Sequence, residues 1–179
     1  MIWVDCQKVK EMRGKFLFVF TVLSVIVPAM MFAATAGVDK WLTYQNDRYG
    51  TTIDYPDQFK AEPPPDADDG QRFKSDDGAK FAVYASYALD STLADIQEFT
   101  LKNLAPNAVV TYKTGGDHWF VISGTAGANI FYERHLLSHG GQMSETFSMT
   151  YPAAAKQSYD PIVARMAKSF RAGKGYQSP

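Results

Sequence analysis

Two alternating segments, 129–137 (NIFYERHLL) and 142–151 (QMSETFSMTY), constrain this chain more than any other feature. A strand sends successive side chains to opposite faces, so once a turn joins two strands the register fixes every cross-strand neighbour. The Gly140-Gly141 turn between them places Tyr132 beside Met149 and Ile130 beside Tyr151 on one face. Glu133, His135, Thr146 and Ser148 share the other. The ribbon is therefore apolar on one side and largely polar on the other, and the apolar side needs a second layer packed against it.

That layer is legible at the C-terminus. Tyr159, Ile162, Val163, Met166, Ala167 and Phe170 follow the i, i+3, i+4, i+7 rhythm of a buried helix face. Asp160 reads as the N-cap, Pro161 as the first helical residue, where a missing N–H costs nothing, and Gly173 as the stop. Upstream, residues 41–44 and 49–55 read as strands separated by an Asn46-Asp47 turn and ended by Pro56. Residues 72–87 (RFKSDDGAKFAVYASY) read as a hairpin. A three-residue loop, Asp76-Asp77-Gly78, sets Phe73 opposite Phe81 and Gln71 opposite Val83, gathering the apolar side chains on one face; a two-residue loop would scatter them. Residues 91–104 predict a helix capped by Ser91 or Thr92, with Leu93, Ile96, Thr100 and Leu104 on one stripe and Pro106 preventing its continuation. Strands at 109–113 and 119–123 follow, joined at Gly115-Gly116, and Gly124 to Gly127 reads as a strand-to-strand turn. The order predicts an α+β fold, a central antiparallel β-sheet flanked by helices.

The first 36 residues read differently. Lys8, Lys10, Arg13 and Lys15 precede an uncharged apolar run from Phe16 to Val27, then come Pro28 and the small residues Ala34-Thr35-Ala36. This is the pattern of a secretory signal peptide cleaved between Ala36 and Gly37. Met12-Arg13 would make a more ordinary start, which raises the reading that residues 1–11 belong to a mis-called one. An uncleaved anchor is the alternative, since residues 16–36 reach the roughly 17–25 apolar residues that a spanning helix needs. The expected location is the bacterial periplasm or outside the cell, with membrane attachment only if the leader stays. The single cysteine, Cys6, precedes the apolar run, so the exported part holds no disulfide and no thiol nucleophile and depends on its core. From Gly37 onward 14 basic residues face 17 acidic ones, a net charge of −3 without a basic stripe, which argues against nucleic acid as a partner. Those 143 residues suit one globular domain.

Several constellations invite a chemical role. Asp66-Ala67-Asp68-Asp69-Gly70, after Pro63-Pro64-Pro65, suggests a calcium loop, but its glycine falls at position five instead of six and position twelve is Asp77. Turn chemistry explains it. His135 and His139, with Glu133 and Glu145 nearby, suggest a metal-dependent enzyme; that four-residue spacing serves zinc on a helix, whereas here the histidines flank a hairpin tip and Glu145 points away from His135, so they read as exposed. His139-Gly140-Gly141 invites comparison with an esterase oxyanion loop, but no G-x-S-x-G elbow accompanies it. No metal, cofactor or catalytic residue is assigned. Arg134 lies on the apolar face near Tyr132 and Phe147, either stacked on an aromatic edge or holding an anion between sheet and helix, and these three are the candidate ligand-binding residues. Arg72, Lys74 and Lys80 share a face of the first hairpin and read as protection of an edge strand.

Taken together, YGTTIDYP (49–56), DDGQRFKSDDGAKFAVY (68–84), NIFYERHL (129–136) and YDPIVARMAKSF (159–170) resemble the small exported bacterial proteins related in fold to PsbP, the extrinsic photosystem II protein, a fold that also occurs in a yeast Ran-binding nuclear-import protein. The resemblance covers nearly all of the chain after residue 40 and implies an antiparallel sheet between helices, an α/β/α sandwich. It carries over no functional residue and implies neither a photosystem nor a Ran partner. The function expected is that of a non-enzymatic accessory or binding domain contacting an envelope protein or a small ligand.

Overall fold

The computed structural model describes residues 40–174, so the leader, its cleavage site and Cys6 lie outside the described residues. Nine strands and two helices follow in the order β1 (Trp41–Gln45), β2 (Thr52–Pro56), β3 (Lys60–Ala61), β4 (Gly70–Lys74), β5 (Lys80–Tyr87), α1 (Leu93–Lys102), β6 (Ala108–Gly116), β7 (Trp119–Ala126), β8 (Asn129–Ser138), β9 (Met143–Pro152) and α2 (Lys156–Ser169). Strands β1 and β2 form a separate hairpin. The other seven make one antiparallel sheet in the order β3-β4-β5-β9-β8-β7-β6, with α2 and α1 on opposite faces. The expected α+β architecture is present.

Both derived registers hold. Tyr132 pairs with Met149, Ile130 with Tyr151 and His135 with Thr146. In the first hairpin Phe73 pairs with Phe81 and Gln71 with Val83, and Gly78 takes φ of 90°. Phe73 and Phe81 stack with ring centroids 4.4 Å apart, the start of a core that runs through Phe147 and Met149 to Ile162, Val163, Met166 and Phe170 of the C-terminal segment. The β1–β2 hairpin adds Ile53 to the same core. The Tyr159 hydroxyl donates to Asp77 at 2.7 Å, pinning α2 to the β4–β5 turn. Burial, together with that carboxylate, pushes Tyr159 up to about 12.

Element ends depart from expectation for local reasons. Helix α2 begins at Lys156, where a 3-10 turn over Ala153–Ala155 feeds it, so Asp160 is no cap and Pro161 lies inside the helix. The proline is tolerated because it and Gln157, whose carbonyl loses a partner, are both on the exposed side. Asp160 instead accepts from Tyr151 at 3.0 Å and pairs with Lys156. The helix ends before Gly173 because Phe170 turns extended and Arg171 exchanges backbone hydrogen bonds with Thr52 at 3.1 and 3.0 Å. Gly115 and Gly116 are strand residues, and the turn is Asp117-His118; Trp119 lies across Gly116, where an added Cβ would come 2.7 Å from the indole nitrogen. Gly124 is also a strand residue, 1.9 Å from the Val109 carbonyl oxygen if it carried a Cβ, and the turn falls at Gly127-Ala128. Strand β2 begins at Thr52 instead of residue 49 because Asn46 to Thr51 form the loop between β1 and β2, while β1 runs on to Gln45 and β2 includes Pro56. Strand β4 is not an edge, for Lys60 and Ala61 pair with Lys74 and Phe73.

The proline-acidic stretch is a strapped turn. The Ala67 carbonyl accepts from Arg48 at 2.7 Å, that of Asp68 from the buried Asn46 side chain at 3.0 Å, and that of Asp69 from the Ala85 amide at 2.8 Å. Three successive carbonyls of the turn are thus tied to the rest of the protein.

Candidate ligand-binding cleft

The two faces of the sheet are covered unequally. Helix α1, begun by a capping box between Thr92 and Asp95, lays Leu93 and Ile96 over Phe120, Ile122 and Phe131 of β7 and β8. It has ten residues and one buried side chain, Thr100. Strands β5 and β9 extend beyond its reach, and on that side they carry Tyr84, Ser86, Ser144 and Thr146. Between the helix and these strands lies a cleft of about 590 Å³.

Its floor is a chain of polar contacts dictated by strand geometry. Glu133 and His135 are two apart on β8 and so point the same way, and Thr146 is the cross-strand partner of His135. Glu133 Oε2 lies 3.1 Å from His135 Nε2, and Thr146 Oγ1 lies 3.0 Å from His135 Nδ1. A carboxylate only accepts, so in the neutral imidazole Nε2 carries the proton and Nδ1 accepts from the Thr146 hydroxyl. The Tyr84 phenol reaches the same hydroxyl, and burial pushes its pKa above the ordinary value. The imidazole lies flat on Phe120, centroids 4.4 Å apart and planes 14° apart. At the far wall the Thr92 hydroxyl and amide donate to Asp95 at 2.6 and 2.9 Å and hold its carboxyl below the usual range.

His135 is thus buried, with 4% of its surface exposed, where an exposed hairpin histidine was expected. Phe120, far away in sequence, seals it. His139 is exposed in the 3-10 turn His139–Gly141, its Nε2 3.0 Å from the Gly173 carbonyl oxygen. With both nitrogens of His135 engaged, the two histidines form no metal pair, and among the described residues no group of three or more His, Cys, Asp or Glu is placed to hold an ion. Glu145 does point away from His135: it pairs with Leu136 on the α2 face, is 1% exposed, and accepts from the Ser138 hydroxyl at 2.7 Å.

Arg134, Tyr132 and Phe147 are brought together as the register requires. Arg134 pairs with Phe147, and the Tyr132 ring is 5.7 Å from that of Phe147. Phe147 is fully buried, with Phe170 6.0 Å away, and belongs to the core. The Arg134 guanidinium sits 5.3 Å over the Trp119 ring, and its Nε is buried without a hydrogen-bond partner. The polar set Glu133, His135, Thr146 was visible in the alternation. The cleft was not, because α1 and Phe120 create it from outside the ribbon.

No family model matches the chain, and no curated protein does. Solved structures do. Cyanobacterial PsbP (CyanoP) from Synechocystis superposes with a TM-score of 0.58 at 16% identity, over 76% of this chain and 95% of that one. The Ran-binding protein Mog1p of Saccharomyces cerevisiae superposes with a TM-score of 0.52 at 11% identity, over 74% of this chain and 95% of that one. Identities this low establish architecture alone. The chain has the fold of PsbP and Mog1p.

Proposed function

We propose that this protein is an exported, non-enzymatic binding or accessory domain of the bacterial envelope, and that its ligand or partner engages the cleft between α1 and the open half of the sheet. The observation that carries the reading is the cleft itself: a concave site with a polar floor, rimmed by aromatic side chains. The leader pattern in residues 1–36 supports export. Among the described residues no helix is long and apolar enough to cross a membrane. Mog1p, which shares the fold, is a Ran-binding protein, so the architecture serves binding in one relative of known structure.

Catalysis is the poorer reading of the Glu133–His135–Thr146 chain, although its order is that of an acid, a base and a hydroxyl. Acyl transfer needs N–H donors aimed at a developing oxyanion. Thr146 lies on β9, between β5 and β8, where the ladders on both sides occupy the backbone N–H groups. Thr146 is also only 2% exposed. A thermal-shift screen of the purified protein with metals, anions and small metabolites tests the proposal. A ligand at 100 times its dissociation constant stabilises the fold by about 2.7 kcal/mol, and Phe99→Ala on the rim is expected to diminish the shift. Turnover in a broad hydrolase screen, abolished by Thr146→Val, would instead make the protein an enzyme.

The unpartnered Nε of Arg134 favours a second reading, an anion held at the other face beside Trp119. An Arg134→Ala protein that keeps every anion-induced melting shift removes it.

A further inference from the structure

We propose that the cleft is selective for a small organic cation, an amine or quaternary ammonium group attached to an apolar body. The inference rests on the cleft being the binding site and names the chemistry it accepts.

Charge is the first argument. Two carboxylates, Glu133 and Asp95, line the cleft, and none of its lining residues is a lysine or arginine. The basic residues of the same sheet face, Lys60, Arg72, Lys74, Lys80 and Lys113, all lie outside the cleft lining. An anion entering the cleft would meet like charge and no counter-ion.

The aromatic rim is the second argument. Phe99 of α1 is 68% exposed and Tyr84 of β5 41%, and both line the cleft. A phenylalanine that open is poor economy on a helix whose own core contact is thin, unless the ring meets something else. Ring faces attract cations, and most strongly those that shed their water easily, which alkylated ammonium groups do and metal ions do not. A metal ion would require several converging oxygens, but the Asp95 carboxylate is tied into the helix cap and Glu133 to His135. An organic cation needs one carboxylate beside an aromatic wall, and that is present. The His135 and Thr146 floor fixes Glu133 in place, while the cleft volume of about 590 Å³ accommodates a ligand well beyond the size of tetramethylammonium.

The test is isothermal titration of the purified protein with choline and benzyltrimethylammonium, alongside 3,3-dimethylbutanol, the neutral isostere of choline, and 3,3-dimethylbutyrate, an anion of similar shape. The cations are expected to bind at least about tenfold tighter than the alcohol, with the carboxylate weaker still. Glu133→Gln and Phe99→Ala should each weaken cation binding severalfold; Phe99 is exposed enough that its loss leaves the fold intact. Lys80→Ala, outside the cleft, should change nothing. Equal binding of choline and its neutral isostere, or tighter binding of the carboxylate, overturns cation selectivity while leaving the cleft as the binding site if Phe99→Ala still weakens it. Cation binding that ignores both Glu133→Gln and Phe99→Ala overturns the inference and the placement together, as does failure of every probe.

Discussion

The α2 face and the α1 face of the seven-stranded sheet are made by the same strands, residue by alternate residue, and they end in opposite conditions. On the α2 face Phe73, Phe81, Val83, Phe147 and Met149 meet Ile162, Val163, Met166 and Phe170 from the C-terminal segment and Ile53 from the β1–β2 hairpin, and hardly any of that surface is left to solvent. On the α1 face a ten-residue helix shields only Phe120, Ile122 and Phe131, and beyond it the strands turn to serine, threonine and tyrosine. Alternation therefore decides which residues share a face, whereas helix length decides how much of that face becomes core. A sheet face that no helix reaches must be polar, and where a polar strand surface adjoins the edge of a helix a cleft results.

The sharpest way to break this contrast is to truncate one aromatic ring on each face. Phe147→Ala, at 0% exposure, removes a ring from the centre of the α2-side core and should cost about 3–5 kcal/mol in urea unfolding. Phe99→Ala on the α1 face should stay within about 0.5 kcal/mol of the parent. Similar losses for the two would mean that Phe99 is supporting the fold, and the cleft rim would lose its claim to be a surface kept open for a ligand.

The contrast also separates what the sequence made legible from what it hid. The hairpin registers were readable because a misplaced register would have put Phe73 and Phe81 on different faces, a local penalty that no distant residue could repair. The burial pattern of α2 was readable for the same reason, through its helical period. The start of α2 was not: Asp160-Pro161 has every mark of a helix N-terminus, and only the surface position of the proline lets the helix begin earlier. At the candidate site, the grouping of Glu133, His135 and Thr146 followed from parity along β8 and β9. The burial of His135 did not, because it depends on Phe120 stacking from a neighbouring strand. The two-residue strand β3 carries no pattern at all and exists because it pairs with β4.

A smaller effect is expected from breaking the polar floor of the α1 face. Thr146→Val keeps the shape of the side chain but strips the hydroxyl from His135 Nδ1, leaving a buried imidazole nitrogen without its partner. A loss of about 1–3 kcal/mol follows. A valine protein as stable as the parent would show that the cleft floor is already hydrated, and that the α1 face is open even more deeply than its side-chain burial indicates.

The smallest effect runs in the stabilising direction and belongs to the α2 face, where Glu145, like the Arg134 Nε, is a polar flaw. Its Oε1 is served by Ser138, but its Oε2 is buried with no hydrogen-bond partner, and burial raises its pKa above the ordinary glutamate value despite the opposing Ser138 bond and the nearby His139. A carboxyl whose folded pKa exceeds its unfolded one binds its proton more tightly in the native state. Its favourable contribution is therefore complete below the unfolded pKa and is lost as pH rises through the folded value. Glu145→Gln supplies a permanently neutral group of the same shape. At pH 8 the variant should be more stable than the parent by about 1 kcal/mol, the scale of one unmet buried polar group. At pH 4, where the parent carboxyl is neutral too, the gain should shrink towards zero. Melting temperatures of the two proteins between pH 4 and pH 8 decide the matter: curves that diverge with rising pH locate the flaw at Glu145, and parallel curves would mean that the carboxylate is solvated and that the α2 face is less completely sealed than its core suggests.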